Sequence, residues 1–515
     1  MKTFAAIDVG SFELSMKIFE MSPGKGMREI DHIRHHINLG RDTYAEGKIA
    51  HERVDELCHY LNEYTQIMKS YRVEDYKAYG TSAIRETDNT VIILDQIRQR
   101  TGINVEVLSN SEQRFLDYKS IAFKGEAFDR FIEKGTAIVD IGGGSIQLSL
   151  FDKDMLMATQ NLKLGVLRLR EILHQLNVGR ASYEGLIEEM ANSQLSVFKK
   201  LYLKDKQISN IIIVDDYLST LFEKKLFSGH VEEQIEVAAF HEFMKQIYEK
   251  TPQELTRFLD MPEDSVELLE ISYFLLKKII GIMDVERIWA PGVTLCDGIA
   301  YEYAQNKRII LLQHDFDQDI VACARNISKR YMGSRKRGDT LEQIALTIFD
   351  SMKKVHGLGK RERLLLRIAT LLHDCGKYIS MVSLGECSYS IIMATEIIGL
   401  SHIEREIVAS VVKYNHLDFE YFDTLGKSSA MDRESYLKVA KLTAILRIAN
   451  GLDHSHKHKF DNVKTVLKDD ELVITVTTNE DITLEKGIFH GKAGFFEEVY
   501  SVRPVIKHKK YGIKK

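Results

Sequence analysis

Two short segments of this 515-residue chain combine a carboxylate with a glycine turn. One is Asp8-Val9-Gly10-Ser11 and the other is Asp140-Ile141-Gly142-Gly143-Gly144-Ser145. Each follows an apolar β-run (Phe4 to Ile7; Ala137 to Val139) and precedes a second one (Leu14 to Phe19; Leu148 to Phe151). Glycine turns let backbone N–H groups converge on an anion, and an Asp at a strand end can hold a hard cation beside it. The chemistry this suggests is that of phosphate. One copy alone could equally be a plain hairpin with a glycine-rich turn. Two copies, roughly 130 residues apart, predict duplicated halves that face each other across a cleft.

The elements that must position these turns read as alternating strands and helices. Residues 1–45 read as strands. A helix is expected over 51–69, with Val54, Leu57, Cys58, Leu61, Tyr64 and Met68 on one stripe. A short strand at Lys77 to Tyr79 runs into Gly80-Thr81-Ser82-Ala83-Ile84-Arg85-Glu86. Helix 90–101 and strand Asn104 to Leu108 follow, and Ser109-Asn110-Ser111-Glu112 reads as a helix start. Beyond the second turn come strand 155–164, a helix opened by Gly165, an apolar strand Ile211 to Val214, helices over 217–285 and a last helix at 294–305. This alternation predicts an α/β fold. From about 310 the pattern is helical only, and after about 460 strands Val463 to Leu467 and Leu472 to Thr477 are expected.

Composition sets the class. The length predicts three or four domains. A net charge of -5 demands no nucleic-acid partner. Five cysteines (58, 296, 323, 375 and 387) without regular spacing fit a reducing cytoplasm. Asp8 and Glu13 interrupt any apolar leader, and no run approaches the roughly 18–20 residues of a membrane span.

Five segments in order complete the picture: Ala6 to Ser11, Ala78 to Glu86, Leu108 to Gln113, Val139 to Phe151 and Leu162 to Leu169. Together they resemble the exopolyphosphatase/guanosine pentaphosphate phosphohydrolase (Ppx/GppA) family of the actin/Hsp70-like superfold. The run Leu371-Leu-His-Asp-Cys-Gly-Lys377 resembles the HD domain of the longer members. The resemblance implies an actin-like lobe I (1–122), a lobe II (123–308), an HD-like helical domain (309–460) and a small β-rich domain (461–515). It implies Mg²⁺-dependent release of terminal phosphate from polyphosphate or from pppGpp by a cytoplasmic homodimer. Asp8 and Asp140 would hold the cation. Gly10, Ser11, Thr81, Ser82, Gly142, Gly143, Gly144 and Ser145 would bind phosphate, with Arg85 as a planar fork. Glu112 would activate water. His373 and Asp374 would be the remnant of an HD site.

The chain departs from that pattern at several phosphate-facing positions. Phe12-Glu13 replaces a polar pair, Gln113 and Gln147 replace acids, Asp215-Asp216-Tyr217 replaces a glycine loop, and Cys296 replaces an arginine. In the HD segment Arg337 falls near the first histidine position and Asn450 at the last aspartate, with Asp453 following. His402, His416, His454, His456 and His458 read as solvated or helix-end side chains. The segment is therefore expected to be structural or regulatory rather than a second hydrolase. Basic runs occur at 325–337 and 507–515. The alternative to an enzyme is a polyphosphate- or (p)ppGpp-binding sensor or scaffold; a sugar or acetate kinase of the same superfold fits less well.

Overall fold

The computed structural model describes residues 2–204, 206–215, 217–218, 221–222, 234–310, 314–425, 431–460 and 462–510. The chain divides into two compact units, Met1–Asp315 and Phe316–Lys515.

The first unit contains two sheets of the same design. One comprises β1 (Lys2–Val9), β2 (Glu13–Ser22), β3 (Gly26–His36), β4 (Asp75–Gly80) and β5 (Val105–Val107), in the order β3-β2-β1-β4-β5. The other comprises β6 (Thr136–Ile141), β7 (Ile146–Asp152), β8 (Met155–Leu162), β9 (Asn210–Asp215), β10 (Gln234–Glu236) and β11 (Arg287–Trp289), in the order β10-β11-β9-β6-β7-β8. In each, an antiparallel three-strand meander comes first, and its first strand then takes a parallel neighbour. Strands β1 and β6 thus sit inside their sheets. Strand β6 is buried along its whole length, as an apolar run paired on both edges must be. Along β1 the side chains alternate: Ala5, Ile7 and Val9 join one core with Leu57, Leu61 and Tyr64, while Phe4 and Ala6 join another with Leu295 and Ile299.

That second core shows a crossover. Helix Leu295–Asn306, at the end of the unit, returns to pack on β1, β2 and helix Asn110–Ala122. Lys17 reaches Asp297 at 2.9 Å, and Cys296 donates to the Ala6 carbonyl at 3.4 Å. A Cβ on Gly298 would collide with the Leu116 carbonyl, so glycine permits the close approach.

Two expectations for this unit are corrected. Strands end at His36, not near residue 45, and Leu39–Glu46 is a helix. It is held by tertiary bonds, Gly40 N–H to the Ser11 carbonyl at 2.7 Å and Thr43 Oγ1 to the Ala83 carbonyl at 3.1 Å, and these outweigh weak local preference. Within 217–285, Gln234–Glu236 is a strand, paired with the equally short Arg287–Trp289.

The second unit is built on helices, among them Phe316–Arg330, Arg335–Ser351, Lys360–Leu372, Leu384–Ala394, His402–His416 and Arg433–Leu452. A three-stranded sheet follows, β12 (Asn462–Lys468), β13 (Glu471–Thr477) and β14 (Arg503–Lys509), in that order. Helix Thr483–Tyr500 crosses from β13 to the parallel β14 and packs on helix Arg433–Leu452, its Tyr500 hydroxyl donating to the Lys441 carbonyl at 2.7 Å. Among the described residues, no helix is long and apolar enough to cross a membrane.

Candidate active site

Asp8 and Asp140 occupy equivalent places, each the penultimate residue of the first strand of its sheet. Asp8 lies opposite Ser15 across the β1–β2 ladder, and Asp140 lies opposite Gln147 across β6–β7. The turns beyond them close alike. Gly10 N–H donates to the Glu13 carbonyl and Gly142 N–H to the Ser145 carbonyl, both at 3.0 Å. A Cβ on Gly10 would lie 2.6 Å from the Glu13 oxygen, which explains the glycine.

The folded unit brings these turns together. A Cβ placed on Gly143 would be 3.0 Å from the Ser11 Cβ, and one on Gly144 would be 3.1 Å from the Ser82 Cβ. Ser11, Ser82 and Ser145 are all buried. The Ser11 and Ser82 hydroxyls bond each other at 2.9 Å. Tyr44, on helix Leu39–Glu46, completes a triangle with both at 3.0 Å. A Cβ on Gly144 would run into the Tyr44 hydroxyl. Burial raises the Tyr44 pKa, so its phenol is a neutral donor near pH 7. The Arg168 guanidinium lies 4.6 Å from the Tyr44 ring centroid. Its Nε donates to the Gly144 carbonyl at 3.0 Å and its Nη2 pairs with Glu86 at 2.6 Å, linking the two halves. Thr81 anchors the first turn, with its N–H and Oγ1 donating to the Val9 carbonyl at 3.2 and 3.4 Å.

Glu112 lies in the first turn of helix Asn110–Ala122, and Arg85, on helix Ser82–Glu86, reaches the segment just before it. Glu112 Oε2 accepts from the Ser109 N–H at 3.0 Å and from its hydroxyl at 2.7 Å, while Ser109 Oγ accepts from the Glu112 N–H at 3.3 Å. This reciprocal pair is a capping box. Arg85 Nη1 donates to the Leu108 carbonyl at 2.6 Å and reaches Gln113 Oε1 at 3.5 Å.

Two residues beyond Glu112 on the same helix stands Arg114, 3% exposed. Its Nε donates to Gln147 Oε1 at 3.0 Å, joining the first half to the strand beside Asp140. Gln147, which replaces an acid of the family pattern, thus already holds a guanidinium. Phe12 likewise spans the halves, its ring 6.0 Å from that of Tyr217. Asp216 and the end of the basic tail at 514–515 lie outside the described residues.

Asp8 and Asp140 supply carboxylate oxygens, the donors a hard cation prefers. Among the described residues no group of three or more His, Cys, Asp and Glu side chains is arranged to hold a metal ion. A cation here would complete its shell with water and phosphate oxygens, the habit of Mg²⁺. His373 and Asp374 belong to the second unit, buried just beyond helix Lys360–Leu372.

Tyr44, Arg114 and Arg168 are the residues of this site that sequence reasoning did not assign a role. Only Arg168 lay within a recognised motif.

Residues 17–307 match the Ppx/GppA phosphatase family, and residues 321–488 match domain III of Ppx/GppA phosphatases. A guanosine-5'-triphosphate,3'-diphosphate pyrophosphatase of Aliivibrio fischeri is 21% identical over 455 residues, 88% of this chain and 86% of its own length. The protein of the same name from Vibrio vulnificus is 21% identical over 489 residues, 92% of this chain and 91% of its own. The crystal structure of an exopolyphosphatase from Cytophaga hutchinsonii covers 59% of this chain and 98% of itself, with 18% identity and a TM-score of 0.51. It shares the two-lobed actin-like fold. With paired Asp–glycine turns on duplicated sheets and a family match over most of its length, the chain belongs to the Ppx/GppA phosphatase family.

Proposed function

We propose that this protein is a phosphohydrolase releasing terminal phosphate from inorganic polyphosphate or from pppGpp, with Mg²⁺ held at Asp8 and Asp140. The observation that carries this reading is the meeting of the two turns, which gathers Ser11, Ser82, Gly143 and Gly144 between equivalent carboxylates. The names of the relatives motivate both substrates. When bound, the cation would neutralise charge on the phosphate oxygens. The turn N–H groups and the hydroxyls of Ser11, Thr81 and Ser82 would orient the terminal phosphate. To do so, Ser11 and Ser82 exchange their mutual bond and their bonds to Tyr44 for phosphate oxygens. Arg85 would steady the chain of phosphates, and Glu112 would orient water through Oε1, since Oε2 holds the helix start.

A second reading, a binding protein without turnover, draws on the engagement of Gln147 by Arg114 and of Glu112 by Ser109. Phosphate release from both substrates, measured with Mg²⁺ and with chelator, separates the two. Release is expected only with Mg²⁺, and Glu112→Gln should lower it about 10²-fold. Absence of release by wild type, with polyphosphate retained on the protein, would favour the sensor.

We also read the helices of the second unit as HD-like, followed by a small β-rich portion, and the chain as a cytoplasmic homodimer. A monomer in sedimentation would overturn the last point.

A further inference from the structure

The interior of the second unit contains a charged cluster with an unusual centre. Arg337, in the first turn of helix Arg335–Ser351, is 4% exposed and points its guanidinium inward. Nε donates to His373 Nε2 at 3.0 Å. Nη1 donates to the Asp453 carbonyl at 2.6 Å and to its Oδ2 at 3.1 Å. Nη2 donates to Asn450 Oδ1 at 2.6 Å. His373 Nδ1 lies 2.8 Å from the Thr370 carbonyl, so this nitrogen carries the proton and Nε2 presents its lone pair to Arg337. Asp374 adds a carboxylate oxygen 3.7 Å from the same Nε2 and 3.1 Å from Lys377 Nζ.

The partners gathered here are an imidazole nitrogen with a free lone pair, carboxylates and an amide oxygen. Those are the ligand types of a divalent transition metal. They come from two separate parts of the unit, the end of helix Lys360–Leu372 and the end of helix Arg433–Leu452, and Arg337 meets them from a third, helix Arg335–Ser351. A metal would use the lone pair of His373 Nε2 and the oxygens of Asp453 and Asn450. His373 Nε2, Asn450 Oδ1 and Asp453 Oδ2 already accept from the guanidinium, and Asp453 Oδ1 accepts from the His458 N–H at 3.2 Å. The residues present therefore do not fit a metal.

We propose that Arg337 is a built-in cation, standing where His373, Asn450 and Asp453 would otherwise converge on a divalent metal. The unit therefore folds without metal, and Arg337→His converts the pocket into a metal site. Removal of the guanidinium without replacement leaves Asp453, itself buried, without its counter-charge. The inference is independent of the activity proposed for the first unit.

The test uses the full chain and Co²⁺, whose visible absorption reports imidazole ligation. After dialysis against micromolar Co²⁺, wild type is expected to show no band that depends on His373, and chelator should leave its melting temperature unchanged. Arg337→His should hold one cobalt per chain, lost again in Arg337→His/His373→Ala. A wild-type band abolished by His373→Ala would overturn the proposal. So would folded Arg337→His with no band. If Arg337→His does not fold with or without cobalt, Arg337→Met decides. Its melting temperature should drop by several degrees and recover when Asp453→Asn is added. No drop, or a drop that Asp453→Asn leaves unchanged, would overturn the built-in cation.

Discussion

The turn Gly10 to Glu13 and the turn Gly142 to Ser145 are closed by the same hydrogen bond at the same length, yet the first carries Ser11 and Phe12 where the second carries Gly143 and Gly144. The side chains of the first reach into the second half. Ser11 lies against Gly143, and Phe12 approaches Tyr217. The second turn has no side chain at these positions, and the room this leaves is filled by Leu167, Ser11, Ser82 and Tyr44. Duplication thus preserved the backbone and divided the labour: one turn supplies groups, and the other supplies the space they occupy.

The equivalence of the carboxylates is the first part of this comparison to break. Asp8→Asn and Asp140→Asn should each lower Mg²⁺-dependent phosphate release about 10³-fold, several kcal/mol of transition-state stabilisation. Equal losses would support a shared cation. A loss confined to one variant would show that only one half holds it. Next in size is the space in the second turn. Gly144→Ala drives a methyl group toward the Tyr44 hydroxyl and should cost about 1–3 kcal/mol of stability in urea unfolding. An unchanged midpoint would show that the turns part freely. The smallest expected effect belongs to the hydroxyl triangle. Tyr44→Phe removes its bonds to Ser11 and Ser82 and should cost about 0.5–1.5 kcal/mol. A larger loss would make Tyr44 a structural pillar of the cleft rather than one donor among three.

Those turns were legible because their signal is local: an apolar run, Asp, glycine, a small residue and a second run fall within about a dozen residues. Their meeting could be inferred only from the repetition. Tyr44 was not legible. Its helix starts Leu39-Gly40, carries Thr43 and stands because Ser11 and Ala83 accept its donors. Arg114 was hidden for a similar reason, since its partner Gln147 is on a strand of the other half and no helical spacing announces it. Strands β10 and β11 have three residues each, too few for a period of two to register. Strand β14 is Arg-Pro-Val-Ile-Lys-His-Lys, and the last three of these positions read as part of a basic tail. The parallel pairing with β13 is set by the intervening helix rather than by the strand's own composition. In the segment that resembles an HD domain the sequence placed Arg337 near a ligand position, but that its guanidinium is the hub of the cluster emerges only from distances across three helices.

Helix Leu295–Asn306 has a consequence for how the first unit can move and be dissected. Because it returns to the first sheet, the second half is a guest inserted into its host, entered after Ala122 and left before Leu295. Two tethers rather than one join guest to host. A body held at two points swings about the line between them and cannot tumble, so any opening between the halves would be a hinge with one principal axis. The same topology means that a single cut in either tether leaves the halves connected by the other. A host fragment ending at residue 122 would expose Phe4, Ala6, Phe19 and Met21, the face that the returning helix covers. A host fragment that keeps this face covered is therefore discontinuous: residues 1–122 joined by a short bridge to 295–306.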